Sequence, residues 1–455
     1  IMLLLSGILG YNISNDLSIK ENKFMMDVAT FFKNHNFTAD IDVEALLAEF
    51  DKQMVQGLEG KGGSLKMIPA YVDADKEVPT EAPIIVLDAG GTNLRVAVLW
   101  FDKAGKVRIE DFQKYAMPGT GDMELAEDVF FDCFADYLSS VSQRSDSIGF
   151  CFSYPTEITP DLDGKLLHWT KQVKAPEVVG KMVGTGISKA VEKRTGIKLK
   201  VKVLNDTVAT LLAGKSAGLA RQYSAYVGFI LGTGTNIAYV EANKNITKIS
   251  AVNPDASMVI NVESGNFNGA ELSDFDKAFD ATTSDPGVGL FEKMISGAYM
   301  GGVGLAMLKA AATDGLFSEA FAAKLLAMNS LETMHFDNFI ANPFIKDGIF
   351  EKLEPTDDDR RMAMTIGEQL FVRAAKLTAV NIAAAVIRSN AGTDKLHPVC
   401  ITVDGSTYYK TRSAFFKSRV EQYLREILGG RGIYFEVISV DDAPMVGSGV
   451  AGLIS

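Results

Sequence analysis

The sequence predicts a protein of two similar lobes that combine strands with helices. The main observation is an internal echo, in which residues 84–100 (IIVLDAGGTNLRVAVLW) and 227–241 (VGFILGTGTNIAYVE) share one pattern. Each segment has an apolar run, a turn rich in glycine and threonine that ends in Thr-Asn, and a second β-rich run, which predicts a β-hairpin. Two such hairpins in one chain indicate two related halves, and a cleft between them is a natural ligand site.

The composition is that of an ordinary globular protein. The chain has 455 residues, which is long enough for two large domains. Hydrophobic residues make up 47% and charged residues 22%, which excludes disorder, collagen and coiled coil for the chain as a whole. The cysteines Cys133, Cys151 and Cys400 are far apart in sequence. This spacing argues against a disulfide scaffold and a structural zinc site.

The charge balance bears on partners and location. The 45 basic and 57 acidic residues give a net charge of -12. A general binder of nucleic acid or of anionic membranes would carry the opposite sign, so neither partner is expected. The apolar residues 1–9 (IMLLLSGIL) lack the basic flank and the cleavage site of a signal peptide. These features favour a cytoplasmic location and leave the oligomeric state open.

Two segments carry a helical pattern, and two others resemble linkers. Residues 42–58 place their large apolar side chains on one face of a helix, and residues 360–389 form a long alanine-rich pattern. The polar, proline-containing stretches 72–83 and 342–359 are typical of linkers. Strands are therefore expected around the two hairpins, with helices before and after them.

Two common nucleotide-binding motifs occur in incomplete form. Gly214-Lys-Ser resembles the end of a P-loop, but Ala209 stands where the leading glycine belongs. The pattern Gly447-x-Gly-x-x-Gly matches the dinucleotide fingerprint, but no room follows it for a βαβ unit. We therefore expect neither segment to bind a nucleotide.

The turn of the first hairpin, Asp88 to Asn93 (DAGGTN), suits an anion that carries a metal ion. Its glycines let the chain turn tightly and aim backbone N–H groups at the anion. A carboxylate beside a phosphate makes sense if Mg²⁺ lies between them, because magnesium is bound by one or two carboxylates together with phosphate oxygens. A plain hairpin turn explains the same residues, so both interpretations stand.

A second candidate site is Asn205-Asp206-Thr207, which follows the apolar run VKVL. A carboxylate at the carboxyl end of a strand is well placed for a cleft, and as a general base it could take the proton of a hydroxyl that attacks a phosphoryl group. Asp206 could instead cap the next helix, which is the better interpretation for an isolated Asn-Asp pair. Other polar residues that suit a polyhydroxylated ligand are Ser153, Thr170, Lys171, Asn236, Glu263 and Glu292.

Between Met54 and Gly452 the sequence resembles the hexokinase family through motifs that occur in family order. These are LKMIPAYV (65–72), LDAGGTNLR (87–95), GFCFSYP (149–155), WTK (169–171), NDTV (205–208), GTGTN (232–236), VINVE (259–263), FEKMISG (291–297), RAA (373–375) and VDGS (403–406). One such match could be chance, but the ordered set covers most of the chain.

The resemblance implies an α/β fold of the duplicated ribonuclease-H-like (actin-like ATPase) class, with two lobes and a cleft between them. A small lobe would take residues 70–205 with 441–455 returning to it, and a large lobe would take 206–440 with an N-terminal helical segment, 18–69. The implied activity is transfer of the ATP γ-phosphate to the 6-hydroxyl of a hexose such as glucose, with Mg²⁺. A kinase for another hexose or an amino sugar, and a non-catalytic sugar-sensing protein, are the alternatives.

The resemblance also implies roles for single residues. Asp206 would be the catalytic base, Lys171 would also approach the γ-phosphate, and Asp88 would hold Mg²⁺. The sugar would be held by Ser153, Thr170, Lys171, Asn205, Asp206, Asn236, Glu263 and Glu292. The phosphates and the adenosine would lie against Gly90, Gly91, Thr92, Asn93, Thr233, Gly234, Gly405 and Ser406. Gln172 and Ser264 depart from the family pattern, which leaves the sugar preference open.

Overall fold

The computed structural model describes residues 28–73, 75–170, 173–217, 221–250 and 252–454. Two predictions fall outside this described part of the chain. One is the role of Lys171, and the other is the beginning, residues 18–27, of the N-terminal helical segment.

The described chain is built from both helices and strands. The helices are α1 (28–34), α2 (Val43–Glu59), α3 (Glu127–Leu138), α4 (Val183–Thr195), α5 (Asp206–Ala217), α6 (Asp274–Asp280), α7 (Leu290–Ile295), α8 (Met300–Thr313), α9 (Glu319–Leu326), α10 (Thr333–Ala341), α11 (Asp357–Arg388), α12 (Ser406–Lys410), α13 (Phe416–Gly429) and α14 (Ala443–Ile454). The strands are β1 (Ile68–Pro69), β2 (Ile84–Gly90), β3 (Asn93–Phe101), β4 (Val107–Ala116), β5 (Ser147–Phe152), β6 (Thr156–Ile158), β7 (Gly164–Leu166), β8 (Lys200–Leu204), β9 (Ala225–Leu231), β10 (Thr235–Ala242), β11 (Ser257–Asn261), β12 (Val399–Asp404) and β13 (Phe435–Ile438).

The first sheet has the strand order β4-β3-β2-β5-β8. Strands β2, β3 and β4 form an antiparallel meander, whereas β5 and β8 run parallel to β2. The central strands are buried along nearly their whole length, as their apolar runs predict. Helices α3 and α4 cover one face of this sheet, where Phe130, Phe134 and Phe150 are completely buried.

The second sheet repeats this arrangement with the order β11-β10-β9-β12-β13, and β1 pairs with β11 at its edge. Strands β9, β10 and β11 are antiparallel, whereas β12 and β13 run parallel to β9. Both predicted hairpins are therefore present, as β2–β3 and β9–β10, and they occupy corresponding places in the two sheets. The duplicated ribonuclease-H-like fold is confirmed.

The last strand of each sheet leads into a helix, and these two helices, α5 and α14, pack against each other. A side chain at Gly447 would clash with the backbone carbonyl oxygen of Ala209, and one at Gly149 would clash with that of Ser448. Glycine therefore allows the close approach of α14 to α5 and to β5. The glycine pattern that begins at Gly447 serves helix packing, and Gly214 lies inside α5. As expected, neither motif forms a nucleotide-binding loop.

The chain divides into two compact units. One, the helical unit, comprises the described residues up to Asp42 with Gly269–Thr378 and Lys410–Val420. The other, the two-sheet unit, comprises Val43–Asn268, Ala379–Tyr409 and the described residues from Glu421 onward. Both sheets belong to the two-sheet unit, and helices α6 to α10 belong to the helical unit. The lobe boundaries inferred from the sequence, 70–205 and 206–440, stay a prediction.

Helix α11 begins earlier than the helix predicted for residues 360–389, inside the stretch 342–359 whose composition is typical of a linker. The N–H of Thr356 donates to Oδ2 of Asp359 at 2.9 Å, and the N–H of Asp359 donates back to Oγ1 of Thr356 at 3.1 Å. This reciprocal cap starts the helix. By length and composition α11 could cross a membrane, but 83% of its most apolar window is buried, as in the core helix of a soluble protein.

Candidate active site

Asp206 is the first residue of α5, which begins where strand β8 has just ended at Leu204. Oδ1 of Asn205 accepts a hydrogen bond from the backbone N–H of Thr207 at 2.8 Å. Asn205, and not Asp206, therefore fills the capping position of the helix. The local fold thus puts the Asp206 carboxylate at the carboxyl end of a strand and in the first turn of a helix.

The charge of Asp206 acts on three groups of the two-sheet unit. It raises the pKa of Asp88, of Cys151 and of Glu263, and in each case burial is the larger cause. Asp88 belongs to the first hairpin, and Glu263 follows strand β11 of the second sheet. Asp206 therefore lies near both the predicted nucleotide segment and the predicted sugar segment.

Asp88 lies near the end of β2, with 7% of its surface exposed. Its Oδ2 accepts a hydrogen bond from Nη1 of Arg95 at 3.0 Å, and the two residues face each other across the hairpin. Burial raises the pKa of Asp88 and the charge of Asp206 adds to this, whereas Arg95 opposes both. One oxygen of this carboxylate is thus held by an arginine of the same hairpin.

Cys151 lies opposite Asp88 on the neighbouring strand β5 and is completely buried. Its Sγ is 3.8 Å from Oγ of Ser153, a predicted sugar contact. Burial raises the pKa of the Cys151 thiol well above its ordinary value, and the charges of Asp88 and Asp206 add to this. The thiol is therefore a neutral neighbour of two carboxylates. Nothing in the sequence pattern around Cys151 had indicated that it belongs to the site.

Glu263 is held by two asparagines. Oε1 of Glu263 accepts hydrogen bonds from Nδ2 of Asn261 at 2.8 Å and from Nδ2 of Asn236 at 3.0 Å. Asn236 also donates to Oδ1 of Asn261 at 2.7 Å, so the three side chains form one network. Burial raises the pKa of Glu263, Asn261 and Asn236 lower it, and the charge of Asp206 raises it. Among the described residues, Oε2 of Glu263 has no hydrogen-bond donor, which leaves it to accept a ligand hydroxyl.

Asn261 is a site residue that the sequence analysis missed. It is the last residue of β11 and stands two positions before Glu263. Alternate residues of an extended chain share a face, so the polar-apolar alternation in Val259–Glu263 was a signal for it. Only 5% of the Asn261 surface is exposed. Its amide is therefore committed to Glu263 and Asn236 rather than to a ligand.

Two other predicted sugar contacts, Ser153 and Thr170, are partly exposed, as ligand contacts must be. The chain just before Thr170 is fixed by Trp169, whose Nε1 donates to the carbonyl oxygen of Ala175 at 2.7 Å. The ring of Trp169 also meets that of Tyr154 edge to face, with a centroid distance of 5.1 Å. Thr170 is therefore attached to an anchored aromatic residue.

The first glycine-rich turn is held in place by an aromatic residue. Oη of Tyr154 donates to the carbonyl oxygen of Gly91 at 2.9 Å, and Gly91 has a φ of 60°, which favours glycine. Nδ2 of Asn93 donates to Oγ1 of Thr92 at 3.2 Å. Gly90, Gly91, Thr92 and Asn93 are at least partly exposed at the turn. Their backbone N–H groups suit an anion there.

The predicted adenosine segment lies against the turn of the second hairpin. Oγ1 of Thr407 donates to the carbonyl oxygen of Gly232 at 2.7 Å. Gly405 has a φ of 115°, and a side chain there would clash with the end of β9. The structure therefore brings this segment beside the turn that carries the predicted phosphate contacts Thr233 and Gly234.

Glu292 lies in the first turn of α7, in the helical unit. Burial raises the pKa of Tyr299, and the charge of Glu292 adds to this, so these two residues are neighbours. The place of Glu292 among the sugar contacts rests on the family resemblance alone.

The carboxylates fit a magnesium ion that arrives with a nucleotide. Within the described ranges, no group of three or more histidine, cysteine, aspartate or glutamate side chains could hold a metal ion. Asp88 supplies one carboxylate beside the first glycine-rich turn, and Asp206 supplies a second nearby. Magnesium needs no more than one or two carboxylates when phosphate oxygens and waters complete its shell.

The two repeated sheets define a class, the proteins with a duplicated ribonuclease-H-like (actin-like ATPase) fold. A family model described as "Hexokinase" matches residues 226–454, and a second model with the same description matches residues 29–216. The chain belongs to the hexokinase family, and its activity is the ATP-dependent phosphorylation of a hexose.

Individual relatives agree with the assignment to the hexokinase family. Hexokinase-2 of Oryza sativa subsp. japonica is 34% identical over 83% of this chain and 80% of its own length. Hexokinase-3 of Homo sapiens is 31% identical over 88% of this chain, which spans only 44% of that relative. The solved structure of a hexokinase from Schistosoma mansoni complexed with glucose is 25% identical, with a TM-score of 0.73, and the match covers 95% of this chain and 99% of that one.

Proposed function

We propose that the chain transfers the γ-phosphoryl group of ATP to the 6-hydroxyl of glucose or a closely similar hexose, with Asp206 as the general base. The observation that carries this proposal is that Asp206 interacts electrostatically with both Asp88 and Glu263. In direct phosphoryl transfer the acceptor oxygen faces the γ-phosphate, and a general base beside the acceptor hydroxyl takes its proton. Asp206 would take the proton of the 6-hydroxyl as its oxygen attacks the γ-phosphorus, and the electron pair of the broken bond would leave with ADP.

At the sugar end, Oε2 of Glu263 would accept a hydrogen bond from a sugar hydroxyl while its Oε1 is held by Asn236 and Asn261. Ser153, Thr170 and Asn205 would complete the contacts made by the two-sheet unit, and the resemblance adds Lys171 and Glu292. A sugar that lacks one matched hydroxyl would leave a buried acceptor unpaired, at a cost of about 1–3 kcal/mol. This supports a preference for one hexose configuration.

At the nucleotide end, the turn from Gly90 to Asn93 and the turn with Thr233 and Gly234 would donate N–H groups to the phosphates. Gly405 and Ser406 would lie against the adenosine. Asp88 would hold Mg²⁺ that enters with ATP. The metal ion would supply positive charge that offsets the charge of the phosphate oxygens. The chain carries a net charge of -12, so backbone dipoles and this ion would provide most of the local positive potential.

We also propose a cytoplasmic location. Cys133, Cys151 and Cys400 are free thiols in the structure, which suits a reducing compartment. Fractionation of the source cells, followed by immunoblotting, tests this. Recovery of the protein in a salt-washed membrane pellet would contradict it.

The test of the proposed function is a substrate panel with purified protein, ATP and Mg²⁺. ADP release is measured with glucose, mannose, fructose and glucosamine, and 6-deoxyglucose serves as the matched control because it lacks the acceptor hydroxyl. We expect ADP release with glucose and none with 6-deoxyglucose, although both should raise the melting temperature. Release with glucosamine alone would favour an amino-sugar kinase. Thermal stabilisation by sugars without any release would favour a sugar sensor.

A further inference from the structure

The segment 65–72 (LKMIPAYV) has no role in the site described above, yet it runs alongside the strand that leads to the sugar carboxylate. Strand β1 pairs with β11 in antiparallel register, with Ile68 opposite Asn261. The N–H of Met67 donates to the carbonyl oxygen of Val262 at 3.2 Å. The pairing therefore continues by one residue beyond β1 and beyond the end of β11 at Asn261.

The next pair in this register is Lys66 and Glu263. Beside the two asparagine hydrogen bonds, the charge of Lys66 lowers the pKa of Glu263, while burial and the charge of Asp206 raise it. Lys66 is thus close enough to act on the Glu263 carboxylate, although its charge is the smallest of the causes that set this pKa. Met67, next to Lys66, has a φ of 47° and Glu263 has a φ of 60°, so the extended pairing ends where the two residues meet. Lys66 itself is exposed.

A second lysine anchors the backbone of this segment. Nζ of Lys248 donates to the carbonyl oxygens of Lys66 at 2.8 Å and of Met67 at 2.6 Å. Burial lowers the pKa of Lys248 to about 8, and no carboxylate in the described part of the chain pairs with it in an ion pair. Strand β1 has only two residues and so makes few backbone hydrogen bonds to β11. The hydrogen bonds from Lys248 therefore help to hold the backbone of Lys66 and Met67 in place.

We propose that Lys66 is a positioning residue for Glu263 and a determinant of sugar charge specificity. Its ammonium group favours the ionised carboxylate that accepts a hydroxyl of a neutral hexose, and it repels a sugar that carries a protonated amine. Without Lys66, the carboxylates of Glu263 and Asp206 would attract such a cation. This inference rests on the proposed function, because it takes Glu263 as a sugar contact.

The experiment compares Lys66→Met with Lys66→Arg, using glucose and glucosamine below the pKa of the amine. For Lys66→Met we expect the KM for glucose to rise about three- to ten-fold with kcat changed less than about two-fold. The KM for glucosamine relative to glucose should fall by a similar factor. Lys66→Arg should restore both values. The matched control is Lys61→Met, which should change neither value. Lys61 is an exposed lysine five residues before Lys66, and it pairs with Glu59 at 3.0 Å.

If the ratio of the KM for glucosamine to the KM for glucose in Lys66→Met stays at the wild-type value, the proposal is overturned. The same holds if both KM values rise by the same factor. If Lys66→Met does not fold, Lys66→Gln replaces it, and the wild-type enzyme gives a second readout. Its KM for glucosamine relative to glucose should fall as the amine loses its proton, and a constant ratio would overturn the proposal. Absence of ADP release with every hexose would refute the kinase function instead, and calorimetric binding of the two sugars would then still test Lys66.

Discussion

Nδ2 of Asn261 donates a hydrogen bond to Oε1 of Glu263 at 2.8 Å, and this links the last residue of β11 to the carboxylate that follows it. Asn261 is buried, and Glu263 is partly exposed. The strand itself therefore orients the carboxylate before any ligand arrives. Preorganisation of this kind lowers the cost of binding, because the ordering has been completed during folding.

Replacement of Asn261 should weaken sugar binding more than it slows the chemical step. In Asn261→Ala the Glu263 carboxylate loses a charge-assisted hydrogen bond, so we expect the KM for glucose to rise about ten- to one-hundred-fold. Steady-state kinetics with sugar as the varied substrate measure this. Ser257→Ala, at the other end of β11, is the control and should keep the wild-type KM. A normal KM in Asn261→Ala would show that Asn261 does not position Glu263.

Asp88 should act at the nucleotide end. Asp88→Asn keeps a hydrogen-bond acceptor for Arg95 and removes the charge that would hold magnesium. We expect kcat/KM for the magnesium complex of ATP to fall about ten- to one-hundred-fold, with an unchanged dissociation constant for glucose. A magnesium titration at fixed ATP, combined with calorimetry for the sugar, makes the comparison. Weaker glucose binding with a normal kcat/KM for ATP would contradict this role and indicate that Asp88 contacts the sugar.

The ionised carboxylate of Glu263 should lower the stability of the folded protein. Burial is the largest cause of its raised pKa, so the folded protein binds this proton more tightly than the unfolded chain. Proton binding by Glu263 therefore adds to the free energy of unfolding below the ordinary pKa of glutamate. This contribution is lost as the pH rises through the pKa that Glu263 has in the folded protein. We expect Glu263→Gln to melt about 1–2 °C above the wild type at neutral pH.

That gain should disappear at a pH below about 4, where the wild-type carboxyl is protonated in both states. Thermal unfolding at the two pH values measures it, and Glu157→Gln, on the exposed strand β6, is the control. A variant that melts lower than the wild type at neutral pH would contradict the prediction.

Asp276 and Arg373 form a buried pair in the helical unit, with Nη1 to Oδ2 and Nη2 to Oδ1 distances of 2.7 Å. Arg373→Met would leave the buried carboxylate without its cation and should cost about 3–5 kcal/mol of unfolding free energy. Burial alone would raise the pKa of Asp276, but the charge and hydrogen bonds of Arg373, together with the hydrogen bonds from Ser273, lower it below its ordinary value. The pair therefore stabilises the fold above the ordinary pKa of aspartate, and this is lost as the pH falls through the lowered value.

Chemical unfolding at neutral and acidic pH measures this contribution. In the double variant Asp276→Leu with Arg373→Met the loss should be smaller than in the single variant, because no buried charge is left unpaired. If the two variants lose the same unfolding free energy, the pair contributes through the packing of its side chains and not through its charges.

The sequence predicts the parts of the fold that repeat. The hairpins at Asp88 and Asn236 carry their own turn residues and β-rich strands, so local pattern is enough to place them. Helix α11 begins earlier than predicted because the cap between Thr356 and Asp359 overrides a charged, linker-like composition. Here, two residues three positions apart decide a boundary that a composition average obscures.

The site is only partly accessible to sequence reasoning. Asp206 and Glu263 belong to motifs, but whether Asp206 caps its helix depends on the side chain of Asn205, which the pattern alone does not settle. The closeness of Lys66 to Glu263 comes from β1–β11 pairing between segments far apart in the chain. Such pairing cannot be predicted from local periodicity, because each segment fits many partners.

If Asp206 removes the proton of the acceptor hydroxyl, its replacement should slow phosphoryl transfer and leave glucose binding in place. Asp206→Ala and Asp206→Asn are compared with the wild type in single-turnover phosphoryl transfer to glucose, and glucose binding is measured by calorimetry. We expect the rate of transfer to fall about 10²–10⁴-fold in both variants while glucose still binds. A near-normal rate in either variant would contradict the assignment of Asp206 as the base.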